Sequence, residues 1–218
     1  MFVTSFPAPM YATNCWIIAS APGQECIILD PGMPDISHEI TAIVAEYHLK
    51  PVATLMTHGH LDHTFSVKPL ADGYGIPSYI HAEDRQYLLK PQGAHGPEFI
   101  ATLDAMTFEE PLDMRNLKHG ELIEILDMKI TAIHSPGHTK GSTMFSINEE
   151  LLISGDVLFA GAIGRTDLPS GSHDAMIKTL KTRVLPLSDD LRVLPGHGPE
   201  TTIKFERKNN PYLKELRV

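Results

Sequence analysis

The sequence predicts a mixed α/β domain, and three observations predict it. Apolar runs of strand length recur along the chain, such as Cys15-Trp16-Ile17-Ile18, Cys26-Ile27-Ile28-Leu29 and Leu151-Leu152-Ile153. Between such runs lie segments whose apolar residues have helical spacing, such as Ile40, Ile43, Val44 and Tyr47. Several runs lead into a glycine followed by histidine or aspartate, so these polar residues fall in loops after strands. Strands, helix and a loop of this kind occur in each half, although no sequence repeat is legible.

Phe2 to Phe6, Cys15 to Ala19 and Cys26 to Leu29 read as successive strands, and Ala21-Pro22-Gly23-Gln24 turns the second into the third. Asp30-Pro31-Gly32 then breaks the sheet; Asp30 is either a turn cap or a partner for a ligand histidine. The helix around Ile40 can be capped by Ser37 or Asp35, and Pro51 closes it. His38 and His48 read as solvated. Val52 to Met56 is a buried strand. Phe65 to Tyr74 is a second helix ending at Gly73 or Gly75, with Pro69 imposing a kink or a late start. Ser78-Tyr79-Ile80 is a short strand, and Glu83 to Leu89 a helical turn or two.

From 91 to 118 periodicity is poor, and the segment reads as an insertion or lid. Its Phe99, Met106, Phe108 and Met114 either wall a pocket or form a small satellite core. Strands return at Leu122 to Leu126, Lys129 to His134, Thr143 to Ile147 and Leu151 to Ser154. The loop from Leu158 to Ser170 contains Gly164-Arg165-Thr166-Asp167. Ser172 caps a helix that turns Met176, Ile177 and Leu180 inward, and Arg192-Val193-Leu194 is the last clear strand. No linker is visible, so residues 1–218 read as a single domain.

The most informative stretch is His58-Gly59-His60-Leu61-Asp62-His63, placed at a strand end. Imidazole nitrogens and carboxylates are ligands that borderline divalent metals prefer. Gly59 lets the backbone turn sharply. Four candidate ligands within six residues cannot easily all reach one small tetrahedral ion, which suggests two metals. A natural division sends His58 and His60 to one ion, and Asp62 and His63 to a second beside it. Each ion needs further ligands, and the chain offers His138 in Pro136-Gly137-His138, Asp156 in Ser154-Gly155-Asp156 and His197 in Pro195-Gly196-His197. His134 alternates with Ala132 and Ile130 on one strand face, so it reads as a core or supporting residue rather than a ligand.

These motifs make the chain resemble the metallo-β-lactamase superfamily, and within it the glyoxalase II-like thioester hydrolases. The resemblance runs from Asp30-Pro31-Gly32 to Asn209-Asn210-Pro211-Tyr212-Leu213. It implies an αββα sandwich, two sheets face to face with helices outside and metals at one edge. It also implies a ligand set: His58, His60 and His138 for one metal, Asp62, His63 and His197 for the other, and Asp156 bridging them. True β-lactamases of the superfamily often have cysteine where Asp156 stands, which argues against antibiotic hydrolysis. Glyoxalase II enzymes that use glutathione carry a C-terminal helical extension with basic contacts to it. This chain stops soon after Leu213, so no such domain is expected, and discrimination for glutathione is expected to be weak. Lys204, Arg207 and Lys208 form the remaining basic cluster and read as a solvated helix face.

Two adjacent divalent ions held by histidine and aspartate make a hydrolytic centre, in which a bridging water ionises near pH ~7. Zinc is the first expectation; iron and manganese also suit the ligands. The expected reaction is hydrolysis of a small S-(2-hydroxyacyl) thioester, similar to S-lactoylglutathione, by a metal-bound hydroxide. Catalytic roles fall to Asp62, Asp156 and Arg165. Thiolate leaves readily, so no strong general acid is needed. The alternative is a persulfide dioxygenase, which the resemblance ties to one iron at the positions of His58, His60 and Asp156. A nuclease or phosphodiesterase is a weaker alternative. Structural zinc sites usually close with cysteines, which these motifs lack.

Composition sets the outer bounds. The 218 residues are 42% hydrophobic and 21% charged, ordinary for a globular chain. The net charge of −9 gives no electrostatic footprint for nucleic acid or an anionic membrane. No apolar run approaches the ~20 residues that span a bilayer, and Met1 to Met10 lacks signal-peptide character. Cys15 and Cys26 read as buried, reduced thiols. A cytoplasmic enzyme acting on a small molecule is the expectation.

Overall fold

The computed structural model describes residues 1–96, 106–125 and 127–216. Strands β1 (Phe2–Pro7), β2 (Asn14–Ala19) and β3 (Glu25–Leu29) form an antiparallel meander. Helix α1 (Ser37–Glu46) crosses to β4 (Lys50–Leu55), which runs parallel to β3. Helices α2 (Leu61–Thr64) and α3 (Val67–Tyr74) lead to β5 (Ser78–His81), parallel to β4. Short helices α4 (Ala82–Arg85) and α5 (Gln92–His95) precede β6 (Met114–Leu117).

The second half opens with the antiparallel strands β7 (Leu122–Ile125), β8 (Met128–His134), β9 (Thr143–Ile147) and β10 (Leu151–Gly155). A small hairpin, β11 (Leu158–Phe159) with β12 (Ala162–Ile163), precedes helix α6 (His173–Thr179). Then β13 (Arg192–Pro195) pairs parallel with β10 and antiparallel with β14 (Thr201–Thr202). Helices α7 (Ile203–Asn209) and α8 (Pro211–Glu215) follow. Among the described residues the large sheets have the orders β1-β2-β3-β4-β5-β6 and β14-β13-β10-β9-β8-β7.

Strand alternation explains the layers. β2 is apolar on both faces because both faces are covered. Trp16 and Ile18 enter the core between the sheets, with Leu29, Leu55, Phe145, Ile153 and Leu194. Cys15, Ile17 and Ala19 face outward against Ile40 and Val44 of α1 and Leu70 of α3. On the other sheet, Met144, Leu152 and Val193 pack outward against Met176, Leu180, Ile203 and Leu213. The molecule is the expected αββα sandwich.

Several expectations change in detail. Pro51 does not close α1. The helix ends at Glu46, His48 takes φ +54°, and Pro51 sits inside β4. The β3–β4 register shifts there, between Cys26 and Ile27, a place where a missing N–H is tolerated. Pro69 gives the late start rather than a kink: α3 begins at Val67, so proline falls in its first turn, and Gly75 ends it at φ +67°.

The segment 91–118 is not all irregular. Met114–Leu117 joins β5 as a parallel edge strand, and Met114 packs on Met56, Val67, Ile80 and Leu88. The alternation is weak because Arg115 and Asn116 are both exposed. Phe99 and Leu126 lie outside the described residues.

Arg207 is not a solvated residue. Its guanidinium donates to the carbonyls of Leu185 (2.9 Å) and Leu187 (2.5 Å) and contacts Asp189. No helix among the described residues is long and apolar enough to cross a membrane.

Candidate metal centre

The loop after β4 carries His58 and His60 and runs into α2, which carries Asp62 and His63, while the loops after β8, β10 and β13 carry His138, Asp156 and His197. One strand belongs to the first sheet and three to the second, so the sandwich brings the seven side chains to a shared edge. Their ligand-type atoms gather in three overlapping groups, each within 4.8 Å: His58, His60 and His138; His58, His63 and Asp156; Asp62, His63 and His197.

The hydrogen bonds behind these rings fix which nitrogens face inward. His138 Nδ1 donates to the Arg165 carbonyl (2.8 Å), leaving the Nε2 lone pair inward. Thr57 Oγ1 donates to Asp30 Oδ2 (2.7 Å) and so accepts from His58 Nδ1 (3.0 Å). His58 Nε2 and His138 Nε2 lie 3.0 and 2.8 Å from His60 Nδ1. The three ring nitrogens therefore converge on one point, an arrangement that a cation satisfies, while His60 Nε2 is buried without a hydrogen-bond partner among the described residues. Asp156 is buried and its Oδ1 has no hydrogen-bond partner, yet it lies 3.5 Å from His63 Nε2. Its Oδ2 lies 3.5 Å from both His138 Nε2 and His197 Nε2, between the two groups. The donor set fits two neighbouring divalent ions.

Asp30 partners the candidate ligand His63. It is fully buried, and Oδ2 accepts from His63 Nδ1 at 3.0 Å while Oδ1 accepts from the Thr57 amide at 2.8 Å. Asp84 plays a joining role that the sequence did not reveal. Its buried carboxylate accepts from the Gly59 amide (2.9 Å), the Gly141 amide (2.7 Å) and Thr139 Oγ1 (2.6 Å). It thereby ties the loop of His58 and His60 to the loop of His138.

The two halves of the centre differ electrostatically. Burial, aided by the neighbouring histidines, pushes His58 and His60 well below the ordinary imidazole range. Burial also opposes charge on His63 and His197. Asp156, Asp62 and Asp30 outweigh it at His63, raising it to about 9. Hydrogen bonds to Asp156 and Asp62 outweigh it at His197, raising it to about 10. Burial works against ionisation of Asp62 and Asp156, but His63 and the His197 hydrogen bond prevail. Asp62 is held far below the usual carboxylate range and Asp156 at about 2. Positions that hold protons so firmly beside carboxylates are positions a divalent cation can take by displacing them.

A cavity of about 380 Å³ opens on the centre. Besides the metal-facing groups it is lined by Tyr11, His95, Arg165 and Leu168. Met106, Phe108 and Met114 do not line it: Met106 is exposed and Phe108 borders a separate hollow beside Lys68. Nothing in the sequence marks His95 as a site residue. Its ring centroid lies 4.6 Å from that of His60, and its Nε2 accepts from the Leu61 amide at 2.7 Å. Arg165 stands at the rim in an exposed fork with Asp167 (2.7 and 2.8 Å), while its carbonyl holds His138. His134 lies apart, stacked on His81 with centroids 3.9 Å apart, and bonded to the Lys140 carbonyl.

The family model of the metallo-beta-lactamase superfamily matches residues 8–197. An uncharacterised protein of Mycobacterium tuberculosis is 37% identical across 99% of both chains. The hydroxyacylglutathione hydrolase GloC of Haemophilus influenzae is 31% identical across 98% of both. Among solved structures, the BLEG-1 B3 metallo-beta-lactamase is similar at a TM-score of 0.87 and 32% identity, covering 97% of this chain and 99% of that one. The structure of TTHA1623 in a di-iron-bound form is similar at 0.76 and 31%, covering 98% and 100%.

Proposed function

The chain belongs to the metallo-beta-lactamase superfamily, and from that premise we propose that it hydrolyses small acyl thioesters of the S-(2-hydroxyacyl) type. The observation that carries the reading is Asp156, whose two oxygens reach toward both groups of inward-facing nitrogens. It supports a two-ion centre in which His58, His60 and His138 hold one ion, Asp62, His63 and His197 the other, and Asp156 both. Such ions supply a water that ionises near neutral pH and a Lewis acid for a carbonyl oxygen. Zinc is the metal we assign; a di-iron-bound neighbour leaves iron as the comparison to run.

The chain's own residues do the remaining work. Asp62 and Asp156 stay ionised at neutral pH and so can accept and orient the protons of the attacking water. Asp30, Thr57 and the Arg165 carbonyl hold the histidine rings in their tautomers. The Arg165–Asp167 fork shapes the rim over which substrate enters. A thiolate leaves without protonation, so a thioester asks no strong general acid of the cavity. Likeness to a hydroxyacylglutathione hydrolase supports the acyl class.

A second reading, β-lactam hydrolysis, is favoured by the likeness to BLEG-1. The test is to strip the protein, load it separately with zinc and iron, and assay S-lactoylglutathione, a chromogenic cephalosporin, and oxygen uptake with glutathione persulfide. Thioester turnover well above the other two is the expected result. Cephalosporin hydrolysis or persulfide-dependent oxygen uptake without thioesterase activity would overturn the proposal.

A further inference from the structure

We propose that the turn between β1 and β2 governs occupancy of the second metal position, with Thr13 as the positioning residue for Asp62. Thr13 is fully buried, and its Oγ1 donates to Asp62 Oδ2 at 3.0 Å. That oxygen is the one nearest the second-position rings, 3.4 Å from both His63 Nε2 and His197 Nε2. A carboxylate oxygen has two lone pairs, so the hydroxyl can fix its direction while one lone pair stays turned to the ion.

The same turn also holds the other side of the position. Thr13 forms an isolated antiparallel bridge with His197. The Asn14 amide donates to the Gly196 carbonyl (2.7 Å), and its Nδ2 donates to the carbonyls of Pro195 (3.0 Å) and Gly198 (2.9 Å). Two consecutive residues thus set both Asp62 and the loop of His197. The first position is held differently: Thr57 stands behind His58, and the Arg165 carbonyl behind His138. The turn itself is fixed at its base, where the Ala8 amide donates to the Thr13 carbonyl at 2.8 Å. It also carries strain at its tip, where Tyr11 and Ala12 take φ +64° and +53° in succession. Such strain persists only where the surroundings over-determine the backbone.

Asp30 and Asp156 serve both positions, but the Thr13–Asn14 turn touches only residues of the second, and this turn decides whether the centre works with two ions or one. The inference rests on a two-position centre and not on the choice of substrate. It is tested on the whole chain by metal binding alone. Metal-stripped wild type, Thr13→Val, Thr13→Ser and Asn14→Ala are titrated with Zn²⁺ against a chromophoric chelator, and with Co²⁺ by visible absorption. Wild type is expected to show two binding steps. Thr13→Val should weaken one step about 10- to 100-fold, the range for losing a partner behind a ligand, and leave the other unchanged. Thr13→Ser should restore the step, and Asn14→Ala should weaken the same step as Thr13→Val. Equal weakening of both steps, no weakening, or a single step in wild type overturns the inference. Metal-free Thr13→Val should melt a few degrees below wild type, the cost of one buried hydrogen bond; a much larger drop, or an equal weakening of both metal steps, would make Thr13 a general packing residue and overturn the inference.

Discussion

His63 Nδ1 and Asp30 Oδ2 meet at 3.0 Å, both fully buried, at the end of β3 where Asp30 takes φ +49°. The same carboxylate takes the Thr57 amide and hydroxyl. One aspartate therefore orients His63 directly and His58 through Thr57.

Asp30→Asn should disturb that arrangement while preserving volume. An amide cannot accept from all three donors, and its NH₂ must face one of them. Metal affinity is expected to fall about 10- to 100-fold with the far-ultraviolet spectrum unchanged. Competitive chelator titration reads the result; unaltered affinity would remove Asp30 from the centre.

Asp156→Ala should cost more than that, because it removes a group proposed to serve both ions. Metal content after dialysis should drop below two per chain and turnover should nearly vanish. Full occupancy with wild-type rate would end the bridging assignment.

The raised values of His63 and His197 make a pH prediction. A histidine raised from 6.5 to about 9 or about 10 stabilises the metal-free fold fully below pH ~6.5. That contribution is lost as pH rises through those values. The metal-free protein should therefore melt at lower temperature at pH 9.5 than at pH 7, and the metal-loaded protein should lose less. Zinc binding at pH 7.5 should release protons, measured calorimetrically in buffers of different ionisation heat. Absence of proton release would contradict protonated His63 and His197.

Gly196→Ala should empty the centre. A Cβ there would lie against Asp156 Oδ1 and 2.8 Å from His63 Cε1. Reduced metal content with a folded chain is expected by elemental analysis and circular dichroism.

Arg165→Gln is expected to behave in the opposite way. Among the described residues its side chain pairs with exposed Asp167 at the rim, a contact that solvent screens, while its carbonyl holds His138 whatever the side chain. Metal content should stay intact and KM should rise. Metal loss would show that the rim loop supports the ligands.

The convergence of the candidate ligands is legible for His58, His60, Asp62 and His63 because they lie within six positions, and for His138, Asp156 and His197 because each follows a glycine after an apolar run. The layers were legible because β2 and β10 are apolar on both faces. Other features depend on distances the sequence does not express. Asp84 acts on residues 25 and 57 positions away, and Thr13 on one 49 positions away. Nothing in Glu83-Asp84-Arg85 or Ala12-Thr13-Asn14 marks them. His95 stands in a segment without periodicity, where a histidine beside Gly96 is an ordinary surface sign. Arg207 looked solvated because its partners are main-chain carbonyls, which leave no trace in the sequence.

The metal-facing side chains come from strands of both sheets, and His58 and His197 are separated by 139 positions. A chain with only one sheet formed holds half a set, and an unfolded chain holds scattered groups that bind ions poorly. Ions therefore bind the assembled sandwich in preference to every earlier species, and their binding free energy adds to its stability by mass action. Metallation at the proposed centre would thus report on assembly: an ion would stay only where the two halves of the molecule have already docked.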